Sequence, residues 1–130
     1  MEYSIRIPGE PVPKERPRFA RRTGHAYTPE KTKQAEKEIA YMWKLEHPGV
    51  KLKGPLFLEM VFNLKPPKGP HGPYPTKRPD IDNLEKLITD ALNGVAYEDD
   101  KQIVQVKKIK RWADLFNGQP GTILWIREAE

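Results

Sequence analysis

The chain contains no cysteine, so disulfides, thiolate metal sites and thiol nucleophiles are excluded. It has no apolar run approaching the roughly 20 residues a membrane-spanning helix needs. Its first residues, Met1-Glu2-Tyr3-Ser4-Ile5-Arg6, lack the hydrophobic centre of a secretory signal. A cytoplasmic protein with no membrane partner is expected. Apolar residues are sparse at 37% and charged ones reach 32%, so one domain of 130 residues with a small core and a densely charged surface is expected. Acids are missing where bases concentrate. Lys65 to Arg78 and Lys101 to Arg111 contain no Asp or Glu, and Lys14 to Arg22 contain one. Those three segments carry +13 and leave −8 for the rest, against a net charge of +5. Clustered positive charge suits a polyanion such as nucleic acid.

The acids gather elsewhere. Arg78-Pro79-Asp80-Ile81-Asp82-Asn83-Leu84-Glu85-Lys86 puts two carboxylates two residues apart behind a proline. Leu84, Leu87, Ile88, Ala91 and Leu92 follow at i, i+3, i+4, i+7 and i+8, one face of an amphipathic helix. Asp82 is a good N-cap and Asn93-Gly94 a good stop, which places the acidic pair where free helix N–H groups also favour anions. Glu98-Asp99-Asp100 comes soon after. The pattern predicts a metal site built from Asp80, Asp82 and one acid of the later cluster, with Lys86 one turn along. The plainer alternative is an exposed ladder of Asp82, Lys86 and Asp90, worth about 0.3–0.5 kcal/mol per pair.

Along the chain, Tyr3, Ile5 and Ile7 alternate with polar neighbours and predict a first strand. A proline-stiffened basic arm over about 11–27 follows, with Lys14, Arg16, Arg18, Arg21 and Arg22 placed to meet phosphates and Phe19 available to stack on a base. Thr28-Pro29 predicts a helix start, threonine as N-cap and proline first in the helix, with Ala35, Ile39, Met42 and Trp43 as its stripe to about Glu46. Pro55 to Leu64 alternates as the clearest strand. The loop over about 65–79, rich in proline and glycine, predicts a basic flap that brings Lys77 and Arg78 toward the acids. Ile103 to Trp112 predicts a strand that carries Lys107 and Lys108, with a bulge where the alternation slips between Val106 and Ile109. Asp114 to Gly121 reads as a turn region and Thr122 to Arg127 as a last strand. His25, His47 and His71 are scattered among loops and are assigned no metal. The order β-α-β-α-β-β predicts an α/β fold of the α+β type, a mixed sheet with both helices on one face.

Three blocks, Asp80-Ile81-Asp82-Asn83-Leu84-Glu85-Lys86, Asp90-Ala91-Leu92 and Asp99-Asp100-Lys101-Gln102-Ile103, resemble the RusA family of Holliday-junction resolvases in residues and in spacing. Pro13-Lys14-Glu15-Arg16-Pro17-Arg18 and Ala26-Tyr27-Thr28-Pro29 are similar to many members as well. The resemblance implies a small homodimeric endonuclease that needs Mg²⁺ (Mn²⁺ as a possible substitute) and nicks opposing strands of four-way junction DNA. It also implies that Asp80, Asp82 and Asp100 hold the metal and that Lys86 is the essential lysine. Some members carry a basic residue directly before the first aspartate, whereas here Pro79 intervenes and Arg78 sits one place earlier. The chemistry agrees: hard carboxylate oxygens suit Mg²⁺, and an ammonium near the phosphate offsets charge built in the transition state. Two other readings remain at this point: a non-catalytic DNA-binding module, and a metal-dependent nuclease acting on flaps or single strands.

Overall fold

The computed structural model describes residues 1–113 and 118–129, so the turn expected from Asp114 to Gly121 lies partly outside the described residues. Leu56, Leu58, Met60, Phe62 and Leu64 alternate along one strand, β4 (Leu56–Leu64), and all five are buried. The other elements are β1 (Glu2–Pro8), β2 (Arg18–Phe19), β3 (Ala26–Tyr27), α1 (Glu30–Glu46), α2 (Ile81–Leu92), β5 (Ile103–Trp112) and β6 (Gly121–Glu128). A four-stranded sheet has the order β1-β6-β4-β5. β6 runs antiparallel to both its neighbours, while β4 and β5 are parallel. A parallel pair needs a crossover, and α2 supplies it.

Both helices cover the same face of the sheet. Ile39 and Trp43 from α1 and Leu84, Leu87, Ile88 and Leu92 from α2 form one core with Ile5, Leu58, Met60, Phe62, Leu124 and Ile126. This is the expected α+β arrangement with a mixed sheet and two helices. The basic arm adds something the sequence did not announce, a two-residue hairpin of β2 and β3. Gly24 takes a positive φ of 68° in its turn and donates its N–H to Ala20 O. No helix among the described residues is long and apolar enough to cross a membrane.

Three local expectations are corrected. α2 begins at Ile81, so Asp80 and not Asp82 is its N-cap residue, and Asp80 makes no side-chain capping bond. Asp80 stays extended behind Pro79, and the helix starts two residues earlier than a capping Asp82 would require. Likewise α1 begins at Glu30 with Pro29 at the N-cap position, so Thr28 does not cap it. The register of β4 against β5 shifts between Leu56 and Phe57, which face Ile103 and Gln105, so Val104 is the extra residue and β5 stays regular from Val106 to Ile109. The slip in alternation has another cause. Lys108 and Lys110 take helix-facing positions because α2 and the flap offer them oxygens, and Ile109 is left on the other face, exposed.

Candidate functional site

An open groove of about 560 Å³ lies between the basic arm and the start of α2. Arg16, Arg18 and Arg78 line it together with Asp80 and Asn83. The arm is fastened there by one residue. Lys14 N donates to Asn83 O at 2.8 Å, and Lys14 Nζ lies 2.9 Å from Glu36 and 3.2 Å from Asp90. Burial works to lower the Lys14 pKa, but the hydrogen bonds it donates to Glu36 and Asp90 outweigh that and hold it above the ordinary lysine value. Lys14, expected to meet phosphate, lines the groove but is paired there with two acids of the protein itself. Arg16 and Arg18 are carried out into solvent along the groove, and Arg21 and Arg22 stand exposed in the hairpin turn.

Asp80 and Asp82 are both exposed at the start of α2, reached through a cis Arg78–Pro79 bond. Lys110 fixes that approach by donating to the carbonyls of Lys77 and Pro79, each at 2.9 Å. Lys108 Nζ lies 2.6 Å from Asp82 and 2.7 Å from Glu85. Hydrogen bonds to Asp82 and then Glu85 raise the Lys108 pKa. Lys86 turns the other way along the helix and pairs with Asp90 at 3.3 Å, which leaves it largely exposed. Of the expected ladder, the Lys86–Asp90 rung is present and Asp82 is taken by Lys108.

Asp100 is elsewhere. It opens the 3₁₀ turn Asp100–Gln102 before β5. Tyr97, whose hydroxyl donates to Thr89 O, feels Asp100, Asp90 and Asp99, though burial is the larger cause pushing its pKa well up. That puts Asp100 beside the C-terminal end of α2, and Asp82 to Asp90 alone spans about 12 Å of helix. Asp99 is used structurally: it accepts from Lys101 N at 2.9 Å, which lowers its pKa, while Gln102 closes a capping box. Among the described residues no three His, Asp or Glu side chains gather to hold a metal.

The donors do fit a hard cation at the α2 start. Mg²⁺ is commonly held by one or two carboxylates, with waters and substrate phosphates completing its shell. Asp80 and Asp82 would provide the carboxylates, and Asp82 is open enough for its Oδ1 to take the Lys108 ammonium at 2.6 Å.

Other expected residues are sorted by the sheet. Arg78 lies at the groove's flap edge, while Lys77 lines a separate flap cavity with His71 and Trp112 and accepts from Lys110 at its carbonyl. Lys107 pairs in register with Glu59, both exposed on the face opposite the helices, away from the groove. The histidines stay apart from the acids: His47 packs on Tyr3 and Trp43, and His71 on Trp112. Sequence reasoning missed Glu85 as a partner and Lys108 as its counter-ion. The one available signal was the broken alternation that turns Lys108 toward α2.

A family model described as "Endodeoxyribonuclease RusA" matches residues 8–126. The chain is also 31% identical over 134 residues to the uncharacterized protein YqaN of Bacillus subtilis (strain 168), an alignment that covers 92% of each protein.

Proposed function

Because the chain belongs to the RusA endodeoxyribonuclease family, we propose that it is a Mg²⁺-dependent endonuclease that resolves four-way DNA junctions by paired phosphodiester hydrolysis. The observation that carries this is the groove itself, where Arg16, Arg18 and Arg78 line the wall with Asp80 at the start of α2, while Asp82, two residues on, is exposed and pairs with Lys108. Guanidiniums match phosphate oxygens bidentately, so Arg16, Arg18 and Arg78 hold the backbone of one strand in the groove. Asp80 and Asp82 would hold Mg²⁺ or Mn²⁺. When bound, the metal supplies charge that polarises the phosphoryl oxygen and acidifies a water. Lys86, one turn along α2, would leave Asp90 to offset the charge that builds on the phosphate. Asp100 is the acid of its pair left outside the capping box, which supports it over Asp99 as a ligand.

Asp100 lies at the far end of α2, so it meets Asp80 and Asp82 only across a subunit boundary. The working form is therefore a homodimer in which each site takes Asp80 and Asp82 from one copy and Asp100 from its partner. Two-fold symmetry also supplies the two sites that paired cuts require. The test is cleavage of a labelled four-way junction beside the matching linear duplex, with Mg²⁺ and with EDTA. Paired cuts in the junction alone, lost in EDTA, are expected. Equal cutting of the linear duplex would remove the junction specificity, and binding without cleavage under Mg²⁺ or Mn²⁺ would leave a DNA-binding module.

A further inference from the structure

Lys108 reaches across from β5 to α2 and touches both an acid expected to hold metal and the acid one turn further on. Its ammonium lies 2.6 Å from Asp82 Oδ1 and 2.7 Å from Glu85 Oε1. The lysine side chain is only 26% exposed, whereas that of Asp82 is 84% exposed. One side of Asp82 is therefore held by a covered lysine and the other is open to solvent. A hydrated divalent ion arriving from solvent competes with the ammonium for the same carboxylate. Two cations within a few ångströms of one carboxylate repel each other, so binding of one displaces the other.

We propose that Lys108 is the resident counter-cation of this acid pair, that the divalent metal displaces it from Asp82, and that Glu85 retains it beside the site. This rests on the nuclease reading of the groove. Two consequences follow from charge alone. In the metal-free protein the ammonium masks Asp82 and spares an incoming phosphate the repulsion of a bare carboxylate. In the metal-bound protein Lys108 stays within reach on Glu85 and adds a cation next to the strand. Lys108 thus sets how strongly metal binding and DNA binding help each other, a coupling that must be reciprocal.

The experiment titrates full-length protein with Mn²⁺ and reads the free ion by EPR, without DNA, for wild type, Lys108→Met, Lys107→Met and Asp82→Asn. Lys107→Met removes the same charge from the opposite face of the sheet. Lys108→Met is expected to bind Mn²⁺ about fivefold tighter than wild type, the upper range for losing one exposed ion pair. Lys107→Met is expected to bind as wild type, and Asp82→Asn to bind weakly. Lys108→Gln keeps hydrogen-bonding capacity without charge, and it is expected to match Lys108→Met even if the methionine variant folds poorly. Affinity in Lys108→Gln equal to or weaker than that of Lys107→Met would overturn the proposal. Wild-type affinity in Asp82→Asn would instead overturn the metal site, whatever Lys108 does. No Mn²⁺ binding by wild type together with binding by Lys108→Gln would deny that the metal displaces the ammonium, and no binding by either would sink both readings.

Discussion

Replacing Lys14 by methionine removes the cation that ties the basic arm to both helices. Its ammonium lies 2.9 Å from Glu36 and 3.2 Å from Asp90, with side-chain exposures of 22%, 21% and 23% for the three residues. Exposed pairs contribute about 0–1 kcal/mol, whereas breaking a buried pair costs about 3–5 kcal/mol. These groups stand between, and Lys86 still covers Asp90 at 3.3 Å, so the loss falls mainly on Glu36. A cost of about 2 kcal/mol is expected, or roughly 8 °C in Tm for a domain of this size. The pH dependence has a definite sign. The folded pKa of Lys14 is raised, so its contribution is fully present below the ordinary lysine value and is lost as pH rises through the folded one. Urea unfolding should show a constant deficit for Lys14→Met between pH 6 and about pH 9, shrinking above about pH 10.5. DNA binding should weaken because Arg16 and Arg18 lose their fixed placement, while the slope of log K against log salt stays unchanged. A shallower slope by about 0.9 with unchanged stability would refute this, because it would put the Lys14 ammonium on a DNA phosphate.

Gln102 accepts from the N–H groups of Glu98 and Asp99 and donates to the carbonyls of Leu52 and Gly54. Gln102→Ala should cost about 2–3 kcal/mol in urea unfolding, and a change within about 0.5 kcal/mol would deny that stitch. Thr32 is fully buried, and its hydroxyl has no partner among the described residues. Thr32→Val should therefore raise stability by about 1 kcal/mol, and a fall in the urea midpoint would mean the hydroxyl is satisfied after all. Mixing inactive Asp82→Asn and Asp100→Asn subunits should restore junction cutting, because one site of the mixed dimer keeps all three acids. Sites formed within single chains would leave the mixture inactive.

The elements that could be read from sequence are those whose periodicity repeats several times. β4 alternates through nine residues and α2 keeps its apolar face for three turns, so tertiary packing only had to accept them. The hairpin in the arm was illegible because two residues per strand give no period, and only the turn at Gly24 marks it. Lys108 and Lys110 made the regular stretch from Val106 to Ile109 read as bulged, while the register shift lies earlier at Val104, since side-chain polarity ceases to report the buried face when the neighbouring helix presents carboxylates and carbonyls. The acidic pair at the start of α2 was legible from the residues before Leu84. The position of Asp100 was not, because spacing along the chain does not say which end of a crossover a residue reaches. β5 begins where α2 ends, so Asp100 is placed a helix length from Asp82.

The acids at the start of α2, and not the basic groove alone, are expected to make this chain a nuclease. The most direct measurement is single-turnover cleavage of a four-way junction by Asp82→Asn beside wild type, with junction affinity measured on the same preparations in Ca²⁺. Asp82 is exposed and makes no contact with the core, so the variant should fold and bind the junction as tightly as wild type while its cleavage falls at least about 1000-fold. Cleavage within about tenfold of wild type would place the chemistry elsewhere on the molecule.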